Sequence, residues 1–354
     1  MTDIIVIGGG IAGVSAAARL SAHAHVTLIE GEDALGYHAS GRSAALFEEN
    51  YGLPSVIALN HASAAYHQPY LSPRGFLLIG RDGEDEAFEK DARTLKCPEI
   101  SVDEARRHVP VLNETITRAA YHADAFDIDT DRMIQDFAKT VRANGGKVLT
   151  GNAVTAISFD KTWSVRCGNE TLTATTLVNA AGAWADQVSV MAGINPIGIT
   201  PLRRSMARIP APGGHDVSRW PIFFGVGETW YAKPDAGALL VSPADEDPVE
   251  PHDAWADNMV LAEGLDRYAN HVTEPITRLT SSWAGLRSFA PDRTLVLGQD
   301  PENAHFIWCA GQGGYGFQTA PAASQLLADL ALGHTPEIDA ATIQSLSPAR
   351  FHKG

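Results

Sequence analysis

The stretch from Ile4 to Glu30 leaves this chain few ways to fold. Ile4 to Ile7 is an apolar, β-rich run, short enough for a buried parallel strand. Gly8, Gly10 and Gly13 follow at G-x-G-x-x-G spacing, and Ile11 to Ala22 is Ala-rich without Pro, which predicts a helix. A second apolar run, Val26 to Ile29, ends in Glu30. Gly8 allows the tight strand-to-helix turn, Gly10 lets the backbone approach a pyrophosphate, and Gly13 lets the helix sit close on the strand. The helix, opening at Ile11 and Ala12, then turns its unpaired N–H groups and positive dipole end toward the phosphates. Glu30 lies about 20 residues beyond the first glycine, where an acid receives the hydroxyls of an adenosine ribose. Strand, glycines, helix, strand and acid in register point to an adenine dinucleotide rather than a plain βαβ turn. The acid disfavours the 2′-phosphate of NADP.

A chain of 354 residues suits two intimate domains or one large one. Its 27 basic and 42 acidic residues give a formal charge of −15, which disfavours nucleic acid and anionic membranes. Cys97, Cys167 and Cys309 are odd in number and form no C-x-x-C, against a disulfide framework or zinc site and in keeping with a reducing cytosol. No basic stretch precedes an apolar one at the N-terminus, and no apolar run approaches the ~20 residues of a membrane span. The expectation is a cytoplasmic protein with no metal site.

Along the chain, Gly36 to Gly52 reads as a loop and short helix, Pro54 to Tyr66 as a helix, Tyr70 to Gly75 as a turn and Phe76 to Ile79 as a strand. Arg81 to Lys96 reads as a solvent-facing helix, and Ser101-Val-Asp-Glu104 as a capping box ahead of Pro110. Asp129 to Asn144 is amphipathic and stops at Gly145-Gly146. Runs at 148–150, 153–159, 163–167 and 171–173 suggest a small antiparallel meander, and Leu177 to Ala180 a buried strand running into Gly182. From Ile197 to Gly285 strand-like segments alternate with Pro and Gly around one helix near 256–270, as in a separate sheet laid over a ligand. Buried strands return at 294–297 and 306–310, the second entering Gly311-Gln-Gly-Gly-Tyr-Gly316 and a helix from Thr319 to Leu332.

The N-terminal GGGIAG, S-G-R-S-A at 40–44, V-N-A-A-G-A-W at 178–184, W-A-G-L-R at 283–287 and G-Q-G-G-Y-G at 311–316 together resemble the FAD-dependent D-amino-acid oxidoreductases. That family includes glycine oxidase, sarcosine oxidase and D-amino-acid dehydrogenase, and within it the likeness is greatest to bacterial D-arginine dehydrogenases. The resemblance implies an α/β fold: a discontinuous Rossmann-type FAD-binding domain at 1–70, 127–200 and 285–354, and a mixed β-sheet substrate domain at 71–126 and 201–284. It implies non-covalent FAD, a D-amino acid substrate, and an electron acceptor (oxygen, quinone or dye) that the sequence does not identify. The implied reaction moves a hydride from Cα to flavin N5, leaving an imino acid that water converts to a 2-oxo acid and ammonia. A secondary-amine oxidase of the sarcosine, glycine or hydroxyproline type shares every motif and stays open.

Residue by residue, Ser40, Gly41, Arg42, Ser43 and Ala44 match the flavin-approach loop, where hydroxyls and N–H groups suit pyrophosphate and Arg42 offsets phosphate charge. Val154 is implied beside the adenine, and Ala181-Gly182 where a Cβ would crowd the cofactor; an ordinary strand-end glycine is the alternative. Gly313, Gly314, Tyr315, Gly316, Gln318 and Thr319 open the last helix, whose N–H groups suit the charge that isoalloxazine gains on reduction. Arg287 matches the clamp for the substrate carboxylate, since a planar fork orients as well as attracts. Arg204 matches a second arginine of the D-arginine dehydrogenase pattern or forms a surface ion pair. Tyr51 and Tyr231 match its tyrosines or are core residues with satisfied hydroxyls. Leu46 stands where the family has a histidine, and Gly75-Phe76 where D-arginine dehydrogenase has an acid. Glu48 and Glu49 either replace that acid or are solvated. With Leu46, Glu48, Phe76 and Gln318 around the side chain, a broad or apolar D-amino-acid range is expected rather than arginine.

Overall fold

The structure is a computed structural model and describes residues 2–352. Ile4–Ile7 forms the central strand of a six-stranded sheet, buried on both faces, as an uninterrupted apolar run requires. It pairs in parallel with Val26–Ile29 on one side and Thr176–Asn179 on the other, with Val6 opposite both Leu28 and Val178. Phe306–Ala310 and the antiparallel Val296–Gln299 extend the sheet beyond Thr176–Asn179, and Lys147–Leu149 closes the opposite edge. The helix Ile11–Leu20 lies on this sheet through Val14, Ala17, Ala18 and Leu20. Helices Thr130–Ala143 and Gly316–Leu332 pack against it.

The close seating of the first helix is visible in its glycines. Gly8 has φ +109°, and a Cβ there would lie 2.3 Å from the carbonyl oxygen of Ala180. A Cβ on Gly13 would lie 1.9 Å from the carbonyl oxygen of Gly8. No side chain fits at either position, because the neighbour is backbone and cannot rotate away.

The second large element is a nine-stranded mixed sheet. Its long strand, Thr200–Pro210, pairs antiparallel with Ser281–Phe289 and Ala238–Ser242, and the path continues through Tyr231–Asp235 and Ile222–Gly225. Ile222–Gly225 meets Phe76–Arg81 in parallel, and Phe76–Arg81 meets Ile116–His122 antiparallel. Because Ser281–Phe289 is one continuous strand, position 285 falls inside it rather than at a linker. On the outer face of this sheet, Phe223 packs with Trp220, Trp230 and Tyr268 of the helix Asn258–Ala269 in one buried cluster, which also takes Ala105 of the helix Val102–His108. Ser101 accepts the Glu104 N–H at 3.2 Å, as the capping box requires.

Four local expectations change. Lys147–Leu149 joins the parallel sheet rather than the meander, which consists of Val154–Asp160, Thr162–Cys167 and Glu170–Ala174. Leu71–Pro73 is a strand rather than part of a turn, paired with Ala125–Ile128, and Leu46–Glu48 pairs on that strand's other side. The strand expected at 294–297 is Val296–Gln299. The last helix starts at Gly316, not Thr319, so its first turn is built from the glycine-rich segment itself.

Candidate active site

Both glycine-rich turns open onto one cavity of about 550 Å³ between the two large sheets. The helices they start, Ile11–Leu20 and Gly316–Leu332, receive no side-chain cap from their own N-cap residues, Gly10 and Tyr315. Two sets of helix-end N–H groups therefore face the same space. The wall brings together Gly8, Gly10, Ile11, Ala12, Glu30, Ser40, Arg42, Ser43, Ala44, Val154, Ala181, Gly182, Gly313, Gly314, Gly316 and Gln318. It adds Leu46, Glu48, Tyr51, Phe76, Arg204, Tyr231 and Arg287.

Four expected site residues stand off the wall. Gly13 is spent on helix–strand contact, and Gly41 closes a turn through its N–H to the Gly36 carbonyl at 2.6 Å. Thr319 is fully buried and its hydroxyl donates back to the Tyr315 carbonyl at 2.9 Å, so it steadies the helix start. The Tyr315 ring packs on Tyr51 with centroids 5.6 Å apart.

In the nucleotide half, the Glu30 carboxylate is held by two backbone N–H groups, Gly9 at 2.6 Å and Glu32 at 2.9 Å. Ser40 Oγ accepts the Ile11 N–H at 3.0 Å and so joins the approach loop to the first helix. A Cβ on Gly10 would come within 3.2 Å of that oxygen. Arg42 departs from its expected task. Its guanidinium pairs with Asp253 at 2.5 Å and donates to the Ala254 and Ala284 carbonyls, so phosphate charge is left to the helix ends. Gly182 has φ +56° with open space around its Cβ position, so the requirement for glycine there is conformational within the protein.

The substrate half is organised by charge. In the pairing of Thr200–Pro210 with Ser281–Phe289, Leu202 faces Arg287 and Arg204 faces Gly285. Arg204 and Arg287 are therefore diagonal neighbours on one face. Arg204 is already satisfied, donating to the Asp245 carbonyl at 2.9 Å and to Glu246 at 3.1 Å. Burial, and then the charge of Arg287, hold its pKa below the usual arginine range. Arg287 forms no ion pair among the described residues; Glu246, the nearby acid, pairs with Arg204 and Arg293. Burial works against the Arg287 charge, and Tyr231, Tyr51, Glu228 and Glu246 around it more than offset that, raising its pKa. Among the described residues, Arg287 is thus a cavity arginine with no ion-pair partner.

Tyr51 donates its phenol to Glu228 at 3.0 Å, and burial, reinforced by the Glu228 charge, raises its pKa so that it stays a donor. Glu228 is a wall residue that sequence reasoning missed; only an unremarkable Val-Gly-Glu turn marks it. Glu48 is not a solvated lid charge: it is 2% exposed, and burial raises its pKa. One of its oxygens accepts from the Asn50 backbone and side chain, while the other has no hydrogen-bond partner. Glu49 is exposed. Gln318 accepts the Glu48 N–H at 2.9 Å, and Phe76 packs on Phe224 with centroids 4.5 Å apart.

Residues 3–330 match the family model described as DAO, FAD dependent oxidoreductase, and the chain belongs to that family. It is 25% identical to hydrogen cyanide synthase subunit HcnC of Pseudomonas aeruginosa over 406 aligned residues, covering 96% of this chain and 94% of that protein. It is also 25% identical to glycine oxidase of Pseudomonas putida, covering 96% of this chain and 97% of that one. Among solved structures, glycine oxidase from Geobacillus kaustophilus superposes with a TM-score of 0.83 at 20% identity, covering 100% and 99% of the two chains. L-proline dehydrogenase from P. horikoshii gives 0.83 at 21% identity, covering 99% and 97%.

The cofactor is FAD, and the residues present suit it. The two helix N-termini, the Gly10 approach and the anchored Glu30 carboxylate provide for a dinucleotide. The three cysteines are buried and none lines the cavity among the described residues; burial pushes the Cys309 thiol up to about 12, so the flavin is held without a cysteine link.

Proposed function

We propose that this chain oxidatively deaminates D-amino acids to 2-oxo acids and ammonia. The observation that carries the reading is the Arg287 guanidinium, half-buried on the cavity wall over Gly314 with no ion-pair partner among the described residues. A substrate carboxylate supplies the missing anion, and the planar fork fixes its orientation. Tyr51, kept protonated, would turn its phenol from Glu228 to the same carboxylate, and Tyr231 lies on the same wall. Leu46, Phe76, Met206, Ile222 and Phe224 enclose the side chain and exclude water.

FAD, when bound, supplies the acceptor for the hydride that leaves Cα. The nitrogen lone pair assists that departure, so the reactive substrate is the neutral amine. Released imino acid takes up water and loses ammonia. No lysine or histidine is required as a base; positioning and electrostatics supply most of the rate. The matches of Tyr51, Arg204, Tyr231 and Arg287 to the D-arginine dehydrogenase pattern support the D-amino-acid reading. We assign residues 1–70, 127–200 and 285–354 to the FAD-binding domain and 71–126 and 201–284 to the substrate domain, with the boundary at 285 crossing the strand Ser281–Phe289 and Leu46, Tyr51 and Arg287 reaching the substrate from the first.

The glycine oxidases among the relatives favour a second reading, oxidation of small or secondary amino acids such as glycine and sarcosine. Anaerobic titration of the flavin spectrum separates the two. Bleaching by D-Leu, D-Met or D-Phe ahead of glycine, sarcosine and L-proline supports D-amino-acid deamination; the reverse order replaces it. A strong preference for D-Arg and D-Lys would overturn the apolar range. Reoxidation in air then distinguishes oxidase from dehydrogenase.

A further inference from the structure

Lys233 is 7% exposed, in the strand Tyr231–Asp235. Its ammonium pairs with Asp127 Oδ1 at 2.8 Å and donates to the carbonyls of Ala44 and, at 3.2 Å, Ala45. The other Asp127 oxygen accepts from Arg74 Nε at 2.8 Å, and Arg74 Nη1 also donates to the Ser218 and Trp220 carbonyls. Two cations thus share one carboxylate in a water-poor place. Removing an ion from water costs several kcal/mol, so an apolar side chain would fill this position at lower cost. What the ammonium gains there is the two carbonyls.

Those carbonyls belong to a strained segment. Ala45 has φ +26°, in the left-handed region that a non-glycine residue adopts only under strain. Ser43, Ala44, Ala45 and Leu46 all line the cavity, whereas Lys233 does not. The ammonium therefore braces the approach loop from outside the wall.

We propose that Lys233 is a positioning residue for the flavin: by holding the Ala44 and Ala45 carbonyls it fixes the backbone of the cavity wall on which the flavin seats. The proposal rests on the FAD assignment and is independent of which amine is oxidised.

Lys233→Met is a suitable probe because it leaves Arg74 and Asp127 as a neutral pair, so no unpaired buried charge is created. In the purified holoenzyme, Lys233→Met raises the FAD dissociation constant at least tenfold and alters the visible bands and midpoint potential of the flavin. Adding Ala45→Gly, which relieves the strained φ, recovers at least part of the affinity and spectrum. FAD affinity, spectrum and potential all unchanged in Lys233→Met overturn the proposal, and so does a loss that Ala45→Gly does not relieve. If Lys233→Met is insoluble, Lys233→Gln is read by the same criteria.

Discussion

The Arg287 guanidinium rests on the backbone of Gly314: a Cβ at position 314 would stand 2.9 Å from its Nη1. The strand that carries the cation and the turn that opens the last helix are in van der Waals contact, so neither can shift alone. Gly314→Ala therefore pushes the fork aside while leaving the nucleotide half intact. We expect KM for the amino acid to rise roughly tenfold or more with FAD retained, measured by steady-state kinetics and flavin absorbance. An unchanged KM would mean that the carboxylate binds elsewhere.

Tyr51 and Glu228 join the segment after Leu46–Glu48 to the turn after Ile222–Gly225, across the cavity. Tyr51→Phe removes that bond, and with it the single phenol proton that would turn to the substrate carboxylate beside Arg287. A single hydrogen bond contributes about 0.5–1.5 kcal/mol, so kcat/KM falls by roughly 3- to 10-fold. The holoenzyme spectrum is unaffected. Loss of FAD in this variant would assign Tyr51 to the cofactor instead.

Two glycines of the first turn behave differently. At Gly13 the added Cβ meets backbone at 1.9 Å, so Gly13→Ala yields misfolded or strongly destabilised protein. At Gly10 it meets only Ser40 Oγ at 3.2 Å, so Gly10→Ala folds with a near-normal apoprotein Tm. Its FAD dissociation constant nonetheless rises at least tenfold, because the methyl occupies the approach to the pyrophosphate. Equal loss of Tm in both variants would contradict this separation.

Stability depends on pH through groups whose pKa burial shifts. Burial lowers the pKa of His67 and His271 below 6.5, so the unfolded chain binds more protons between 6.5 and the folded values. Their contribution is present above 6.5 and is lost as pH falls through the folded values. Glu48 acts oppositely: its pKa is raised from 4.5 by burial, and the stability it gives is present below 4.5 and fades as pH rises through the raised value. Glu48→Gln therefore steepens the fall in Tm from pH 7.5 to 5.5, and His67→Gln flattens it. Slopes identical to wild type in both variants would refute these assignments.

What the sequence made legible was local. The nucleotide unit from Ile4 to Glu30 is specified within one contiguous stretch, so spacing alone reveals it. Arg287 stood out because W-A-G-L-R-S-F surrounds one charge with apolar residues. The run at 148–150 was misplaced because a short apolar segment does not say whether its partner is parallel or antiparallel. Ile116–His122 went unread because Thr-Arg-Ala-Ala-Tyr-His does not alternate. Glu228 and the buried state of Glu48 are products of long-range pairing: Leu46–Glu48 is covered only when Ala125–Ile128 arrives beside it. Arg42 had an expected anion in phosphate, but Asp253, over 200 residues away in sequence, takes it.

The most direct test compares anaerobic flavin reduction by the best amino acid with reduction by the amine lacking its carboxylate, in wild type and in Arg287→Met, by stopped flow. Wild type should favour the amino acid by about 100-fold or more, as a charge-paired contact of about 3 kcal/mol allows. Arg287→Met should erase most of that preference by weakening amino-acid binding alone, with FAD still bound. A preference that survives the substitution would show that Arg287 does not hold the substrate.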